Sequence, residues 1–206
     1  MKSIAITGKK GGTGKTALCH ALALGAAWTG KHAHLCHTDD REPLKTLNRP
    51  YMYYDAREPK QLEMIADAAA SQDGLLIIDL GGNRPQFDEW VAAFADLIII
   101  PTAPDPEDVR ESIEHAKRIK AAGGEVVKFV VNKYPASEKE RKFVERYLDL
   151  LPQEDILCYV PEIKVIRTLR EADVEAFKTP PTRLNNAARR FYREVNALLC
   201  NLPITD

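Results

Sequence analysis

Gly8-Lys9-Lys10-Gly11-Gly12-Thr13-Gly14-Lys15-Thr16 is the stretch on which the fold turns. A short apolar run, Ser3 to Thr7 (SIAIT), precedes it, and an Ala- and Leu-rich segment, Lys15 to Trp28, follows at once. Strand, glycine-lysine loop and helix in that order is the context a phosphate-binding loop requires. Glycines let backbone N–H groups turn inward around phosphate oxygens without Cβ clashes, and the helix N-terminus adds partial positive charge. Lys15 would reach the β- and γ-phosphates, and the Thr16 hydroxyl would bind Mg²⁺. The loop ends as a Walker A motif does, but Lys9 stands where that motif has its first glycine. What is present is Lys10-Gly11-Gly12-Thr13-Gly14-Lys15-Thr16, with a second lysine near the start. These residues predict binding of Mg²⁺-ATP.

Outward from the loop, short apolar runs alternate with longer helical patterns. Strands are expected at Ala33–His37, Tyr51–Asp55, Leu75–Asp79 (LLIID), Leu97–Pro101 (LIIIP), Val126–Asn132 and Ile156–Val160. Helices are expected at Lys60–Ser71, Asp105–Ala122, Ser137–Leu151, Ile163–Leu169 and Pro181–Leu199. Ser137 with Glu140 reads as a capping box, Gly123-Gly124 as a helix stop, and the mixed charges of Asp105–Ala122 as a solvent-facing helix. Alternating strands and helices imply βαβ units. The expected fold is α/β: one P-loop NTPase domain over residues 1–206, with a mostly parallel twisted sheet of about seven strands and helices on both faces. Ligands bind beyond the carboxyl ends of such strands.

Composition narrows the class. The chain has 206 residues, 45% of them hydrophobic, and a formal net charge of -1, so any nucleic-acid contact must come from a local basic patch. The four cysteines, Cys19, Cys36, Cys158 and Cys200, form no C-x-x-C pair and read as ordinary thiols of a reducing compartment. MKSIAITGKK does not read as a signal peptide, and no stretch approaches the length of a membrane span. The expectation is a cytoplasmic protein.

At Lys10 through Thr16 the chain resembles the ParA/MinD family of deviant Walker A ATPases, whose loop reads K-G-G-x-x-K-[ST]. The resemblance covers nearly the whole chain and is nearest to small ParA-type partition ATPases. It implies that Lys10 reaches across a homodimer to the partner's nucleotide. It implies a Walker B strand at Leu75–Asp79, with Asp79 holding Mg²⁺ through water, and a switch segment at Leu80-Gly81-Gly82-Asn83. The family often has prolines in that segment, whereas this chain has Gly81 and Gly82. The family's D-x-D becomes His37-Thr38-Asp39 here. Asp39 matches the carboxylate that orients the attacking water, with Asp40 as the fallback if the register slips, and His37 replaces the first carboxylate. Adjacent aspartates also suit a solvated turn. Asn132 matches an adenine-contacting asparagine, and Pro161, in Val160-Pro161-Glu162, sits where the base pocket closes. Ile100–Pro106 is either the family's proline-rich stretch near adenine and the dimer contact, or a stiff loop capping the next helix. The implied nucleotide contacts are thus Gly11, Gly12, Thr13, Gly14, Lys15, Thr16, Asn132 and Pro161. The catalytic set is Lys10, Lys15 and Asp39, and the metal set is Thr16 and Asp79.

Arg183, Arg189, Arg190 and Arg193 lie along one expected helix, with Lys164, Arg167 and Arg170 nearby. This reads either as a solvated basic face or as a non-specific DNA surface, as in small ParA-type proteins. The terminal NLPITD is short and proline-broken and lacks the character of a membrane anchor. His32, His34 and His37 read as core or rim histidines, since no partner set is spaced for a metal. The resemblance implies a switch ATPase for plasmid or chromosome partition, dimeric and nucleoid-associated when ATP-bound, with hydrolysis stimulated by a partner protein. Its alternatives are an ATPase positioning another cargo or serving plasmid conjugation or stability, and a dethiobiotin synthetase-like ATP-using enzyme.

Overall fold

A computed structural model describes residues 1–44, 49–82, 84–162 and 181–202 of the chain. Seven strands, β1 (Lys2–Ile6), β2 (His32–His37), β3 (Met52–Asp55), β4 (Gly74–Asp79), β5 (Leu97–Thr102), β6 (Val127–Tyr134) and β7 (Ile156–Pro161), form one sheet in the order β3-β2-β4-β1-β5-β6-β7. Every strand pair is parallel. The described helices are α1 (Lys15–Ala27), α2 (Pro59–Ala70), α3 (Pro85–Ala92), α4 (Pro106–Ala121), α5 (Glu138–Leu148) and α6 (Thr182–Asn201), with a 3₁₀ turn at Gln153–Asp155. The expected seven strands and parallel pairing are both present.

Period-two alternation sends successive strand residues to opposite faces, and here both faces are covered. Ile4, Ile6, Leu75 and Ile77 pack with Leu18 and Leu22 of α1 and with Leu184, Phe191 and Val195 of α6. Ala5, Leu76 and Ile78 pack on the other side with Leu62 of α2, Phe87 and Val91 of α3, Val109 and Ile119 of α4, and Leu148 of α5. Burial on both sides is why β4 and β5 read as unbroken apolar runs rather than alternating ones.

Three local expectations need correction. Helix α3 has no counterpart in the sequence reading, because its eight residues mix aromatic and acidic side chains and only Phe87, Asp88, Val91 and Ala92 are buried. Ser137 precedes α5 but makes no side-chain capping bond, so the capping box does not form. Helix α4 is solvent-facing on one side only, since Asp108, Val109, Ser112, His115, Ala116 and Ile119 are buried. Its true cap is Asp105, whose carboxylate accepts from the Glu107 and Asp108 amides at 3.0 and 3.2 Å. The expected helix Ile163–Leu169 lies outside the described residues, as do Lys164, Arg167 and Arg170.

Candidate nucleotide-binding site

The carboxyl ends of β1, β2, β4 and β6 converge on the loop 8–14. Gly14 caps α1 in the left-handed region at φ 96° with no side chain over the helix end, leaving the first-turn amides facing the loop. An added Cβ there would lie 2.2 Å from the Asn132 side-chain nitrogen. Asn132 Nδ2 donates to the Thr13 carbonyl at 2.8 Å, and Lys133 Nζ donates to the Gly12 carbonyl at 2.8 Å. The end of β6 therefore braces the loop from below. Lys133, held at φ 56°, was not legible in the sequence as a loop residue. The amide that the resemblance directs at adenine is committed to Thr13 here.

Lys15 is 8% exposed and donates to the Lys10 carbonyl oxygen at 3.1 Å. Burial pulls its ammonium below the ordinary lysine range, while Asp79, Asp88 and Asp39 oppose that shift. The loop thus folds around a desolvated cation aimed at its own backbone, a group ready to exchange one carbonyl for phosphate oxygens. Gly11, Gly12, Thr13, Gly14 and Thr16 belong to the same loop and helix start.

Register sets the corner around Asp79. β2 and β4 pair so that His37 lies beside Asp79, and β1 pairs Ile6 with Asp79. Asp79 is 2% exposed, and burial raises its carboxyl above the usual range, opposed by hydrogen bonds from the Thr16 hydroxyl and the Cys19 thiol. Burial holds Cys19 firmly in its neutral thiol form, which is a donor the sequence reading had classed as an ordinary thiol. A buried carboxylate next to a threonine hydroxyl at the mouth of a phosphate loop suits a hard divalent cation.

Asp39 is 3% exposed and Asp40 is exposed, so the structure distinguishes the two aspartates. Arg41 holds Asp39 with its Nε at 3.1 Å, its Nη2 at 2.5 Å and its backbone amide at 3.2 Å. This guanidinium keeps the Asp39 carboxyl below the usual range. Neither Arg41 nor Arg84 was singled out in the sequence. Arg84 Nη1 donates to the carbonyls of Thr38 and Arg57 at 3.3 and 2.7 Å, tying the loop after β2 to the start of α3. Gly81 and Gly82 meet this corner directly. An added Cβ at Gly81 would lie 2.9 Å from Asp39 Cγ, and one at Gly82, where φ is +77°, would lie 2.3 Å from the Gly8 carbonyl oxygen. No side chain fits in that gap without a shift of the backbone around it. Asn83 lies outside the described residues.

Lys10 does not point at Lys15's target. Its ammonium bonds Glu107 at 2.9 Å and pairs with Asp108, both in the first turn of α4. These two carboxylates hold it strongly protonated. The stretch left open in the sequence runs from β5 into that helix end and supplies the α4 cap, Asp105, next to the two carboxylates that anchor Lys10.

Behind the loop runs a directed chain of hydrogen bonds. Arg118 Nη2 lies 3.3 Å from His115 Nδ1, His115 Nε2 lies 3.0 Å from Thr7 Oγ1, and Thr7 donates to Asp88 Oδ2 at 3.0 Å. With arginine a donor only, Nδ1 accepts and Nε2 carries the proton. Burial pushes Asp88 up to about 6 and His115 down to about 4. Between pH 4 and 6 the folded chain keeps a proton on Asp88 that the unfolded chain has released, so Asp88 lowers stability as pH rises. Between pH 4 and 6.5 the unfolded chain carries a proton on His115 that the folded chain lacks, so His115 raises it. The two slopes oppose. We expect Asp88→Asn to expose the His115 slope, its stability climbing by about 1–3 kcal/mol from pH 4 to 6.5, and His115→Gln to show the reverse. Urea midpoints across that window read both, and parallel profiles for the two variants would contradict the pairing.

The remaining expected residues are dispersed. Pro161 ends β7 beside Tyr134 and is exposed. On α6, Arg183, Arg190 and Arg193 are exposed and Arg189 is half-buried. Arg189 Nε donates to Asn185 at 2.6 Å, and Glu194 stands 3.9 Å from Arg190. His34 bonds Tyr54 and Gln72, and no three metal-binding side chains converge among the described residues. No described helix is long and apolar enough to cross a membrane.

No family model matches the chain, and no curated protein matches it in sequence. Solved structures do match it in shape. MinD of Pyrococcus horikoshii OT3, complexed with Mg-ADP, superposes at TM-score 0.69 with 18% identity over 99% of both chains. A ParA family ATPase from Chlorobium tepidum TLS superposes at 0.68 with 14% identity, covering 95% of this chain and 98% of that one. A Cyanothece McdA variant in complex with ATP superposes at 0.68 with 15% identity over 96% of each. The fold is that of the MinD and ParA ATPases. In it the loop 8–16 lies beyond the sheet's carboxyl edge, where ligands of open α/β sheets bind.

Proposed function

We propose that this chain is a switch ATPase that binds Mg²⁺-ATP in the loop 8–16, dimerises on it, and in that state holds DNA without sequence choice during plasmid or chromosome partition. The observation that carries the reading is the pairing of a desolvated Lys15 with the Thr16–Asp79 couple under an uncapped helix start. Structural neighbours captured with Mg-ADP and with ATP support it. Lys15 and the loop amides bind and orient the phosphates. Thr16 and Asp79 would hold Mg²⁺, which would offset phosphate charge. Asp39, freed from Arg41, orients a water toward the terminal phosphate. Lys10 leaves Glu107 and Asp108 to reach the partner's nucleotide, where two facing triphosphates concentrate negative charge. Release of the γ-phosphate lets Gly81–Gly82 move, and a partner protein accelerates that step. Asn132 and Pro161 would border the base.

Sedimentation with ADP against a non-hydrolysable ATP analogue tests the dimer. Lys10→Ala is expected to keep nucleotide affinity within about threefold and to stay monomeric with the analogue, since it removes one cation of the partner's site; a Lys10→Ala dimer would refute the trans role. The α6 arginines supply the DNA surface, together with Lys164, Arg167 and Arg170 of the 163–180 segment. A gel shift with unrelated DNA at low salt, with and without ATP, tests it. Arg189→Glu with Arg190→Glu is expected to weaken retention by at least about tenfold, as lost phosphate contacts do. Unchanged retention would remove α6 from the surface. A ligase-type ATP-using enzyme has no use for Lys10 and would show neither nucleotide-dependent dimer nor DNA retention.

A further inference from the structure

The nucleotide corner contains one polar atom that the preceding reading leaves idle. His37 ends β2 and its side chain is 7% exposed. Its Nε2 lies 2.9 Å from the Arg41 carbonyl oxygen, which can only accept, so Nε2 carries a proton and Nδ1 is the nitrogen that accepts in the neutral ring. That Nδ1 is buried and has no hydrogen-bond partner. It faces Asp79 Oδ2 at 4.0 Å, too far for a direct hydrogen bond. Nδ1 and Asp79 Oδ2 therefore face each other across a buried gap with no hydrogen bond between them, a gap that a molecule with two protons to give would complete. A single water donating to both, with two bonds of about 2.8 Å meeting at the water angle, spans about 4–4.5 Å.

Thr16 acts on the Asp79 carboxyl as well, and His37 and Asp79 are register partners on adjacent strands, so the gap is fixed by sheet pairing. We propose that His37 Nδ1 is an outer-shell acceptor for the nucleotide-bound divalent cation, sharing with Asp79 a water that the cation carries. This rests on the Mg²⁺-nucleotide reading of the same site. It assigns His37 a positioning role that a side chain merely filling the end of β2 would not have. An imidazole here does the orienting work of a carboxylate without adding a negative charge to the corner.

Two variants separate this role from a structural one. The His37→Asn side-chain oxygen can take the place of Nδ1 but loses the bond to the Arg41 carbonyl. The His37→Gln amide can keep that bond but offers no acceptor at the Nδ1 position. Calorimetric titration of ADP over a series of Mg²⁺ concentrations gives the half-saturating Mg²⁺ for each, and the same titration in EDTA reports the phosphate loop alone. We expect His37→Gln to need about tenfold more Mg²⁺ or beyond, the usual effect of losing an outer-shell partner, with His37→Asn within about threefold of wild type. Metal-free ADP affinity should be equal in all three. If Gln behaves as wild type, or Asn loses as much as Gln, His37 is structural and the proposal is overturned. If wild type binds no nucleotide at any Mg²⁺ concentration, the nucleotide reading falls and this inference with it. Should both variants fail to fold, ENDOR of wild-type protein with Mn²⁺-ADP and ¹⁵N-labelled histidine decides: a weak histidine coupling supports the assignment, and none overturns it.

Discussion

Lys15→Met is expected to weaken ADP and ATP binding on the order of 100-fold, because a charge-assisted contact to phosphate in a partly desolvated site is worth about 3 kcal/mol. The same substitution is expected to stabilise the nucleotide-free protein. Lys15 is 8% exposed, and its ammonium titrates below the ordinary lysine value because burial outweighs the nearby carboxylates. The charged form is therefore held at a net cost, which methionine of similar length removes. A gain of about 1 kcal/mol would raise Tm by about 2–4 °C in a chain of this size. The pH dependence follows from the direction of the shift. Above the lowered folded pKa and up to 10.5, the unfolded chain holds a proton that the folded chain has given up, so wild-type stability rises with pH there. The variant lacks that slope. Thermal melts from pH 7 to 10.5, beside calorimetry with ADP, read both effects. A variant that binds ADP normally, or melts lower than wild type at pH 7, would show that Lys15 is a structural cation rather than a phosphate ligand held at the expense of stability.

Gly82→Ala should damage the molecule at a different point. At φ +77° an alanine is strained, and its Cβ would lie 2.3 Å from the Gly8 carbonyl oxygen, a backbone atom that cannot rotate away. Left-handed strain and overpacking together cost about 2–4 kcal/mol, enough to lower Tm by about 10 °C. If the segment yields instead, it must lift from the loop, and Gly81 then withdraws its support from Asp39. We therefore expect ADP affinity to survive within about tenfold while single-turnover phosphate release falls about 100-fold, the range lost when a positioning element is displaced. Gly81→Ala, with no φ strain and its nearest contacts all with Asp39, should reproduce the slower release with a smaller loss of stability. Equal melting and equal phosphate release in Gly82→Ala would mean that the segment does not press on the loop during turnover.

How much of this was legible in the residues depends on how local each feature is. The loop, the strand that feeds it and the helix that leaves it are contiguous, so glycine spacing and apolar runs sufficed to place them. Asp79 was legible because it terminates an apolar strand. Asp39 was separated from Asp40 only by burial, since neighbouring aspartates differ in which side of the strand end they face. Helix α3 was missed because eight residues cannot display a helical period, although its Asp88 is central to the chain behind Thr7.

The sequence by itself determined that a glycine-lysine loop opens a parallel, doubly covered sheet, because those facts rest on periodicity and on backbone chemistry within a few residues. Only the tertiary structure decided what the side chains around that loop are doing. Lys10 rests on α4, Arg41 clasps Asp39, Asn132 and Lys133 brace the loop, Cys19 donates to Asp79, and His37 faces Asp79 across a gap. Apart from the Arg41–Asp39 clasp, which turns on burial, each joins segments far apart in the chain through strand register and helix packing, and no spacing rule along one segment encodes a distance between two.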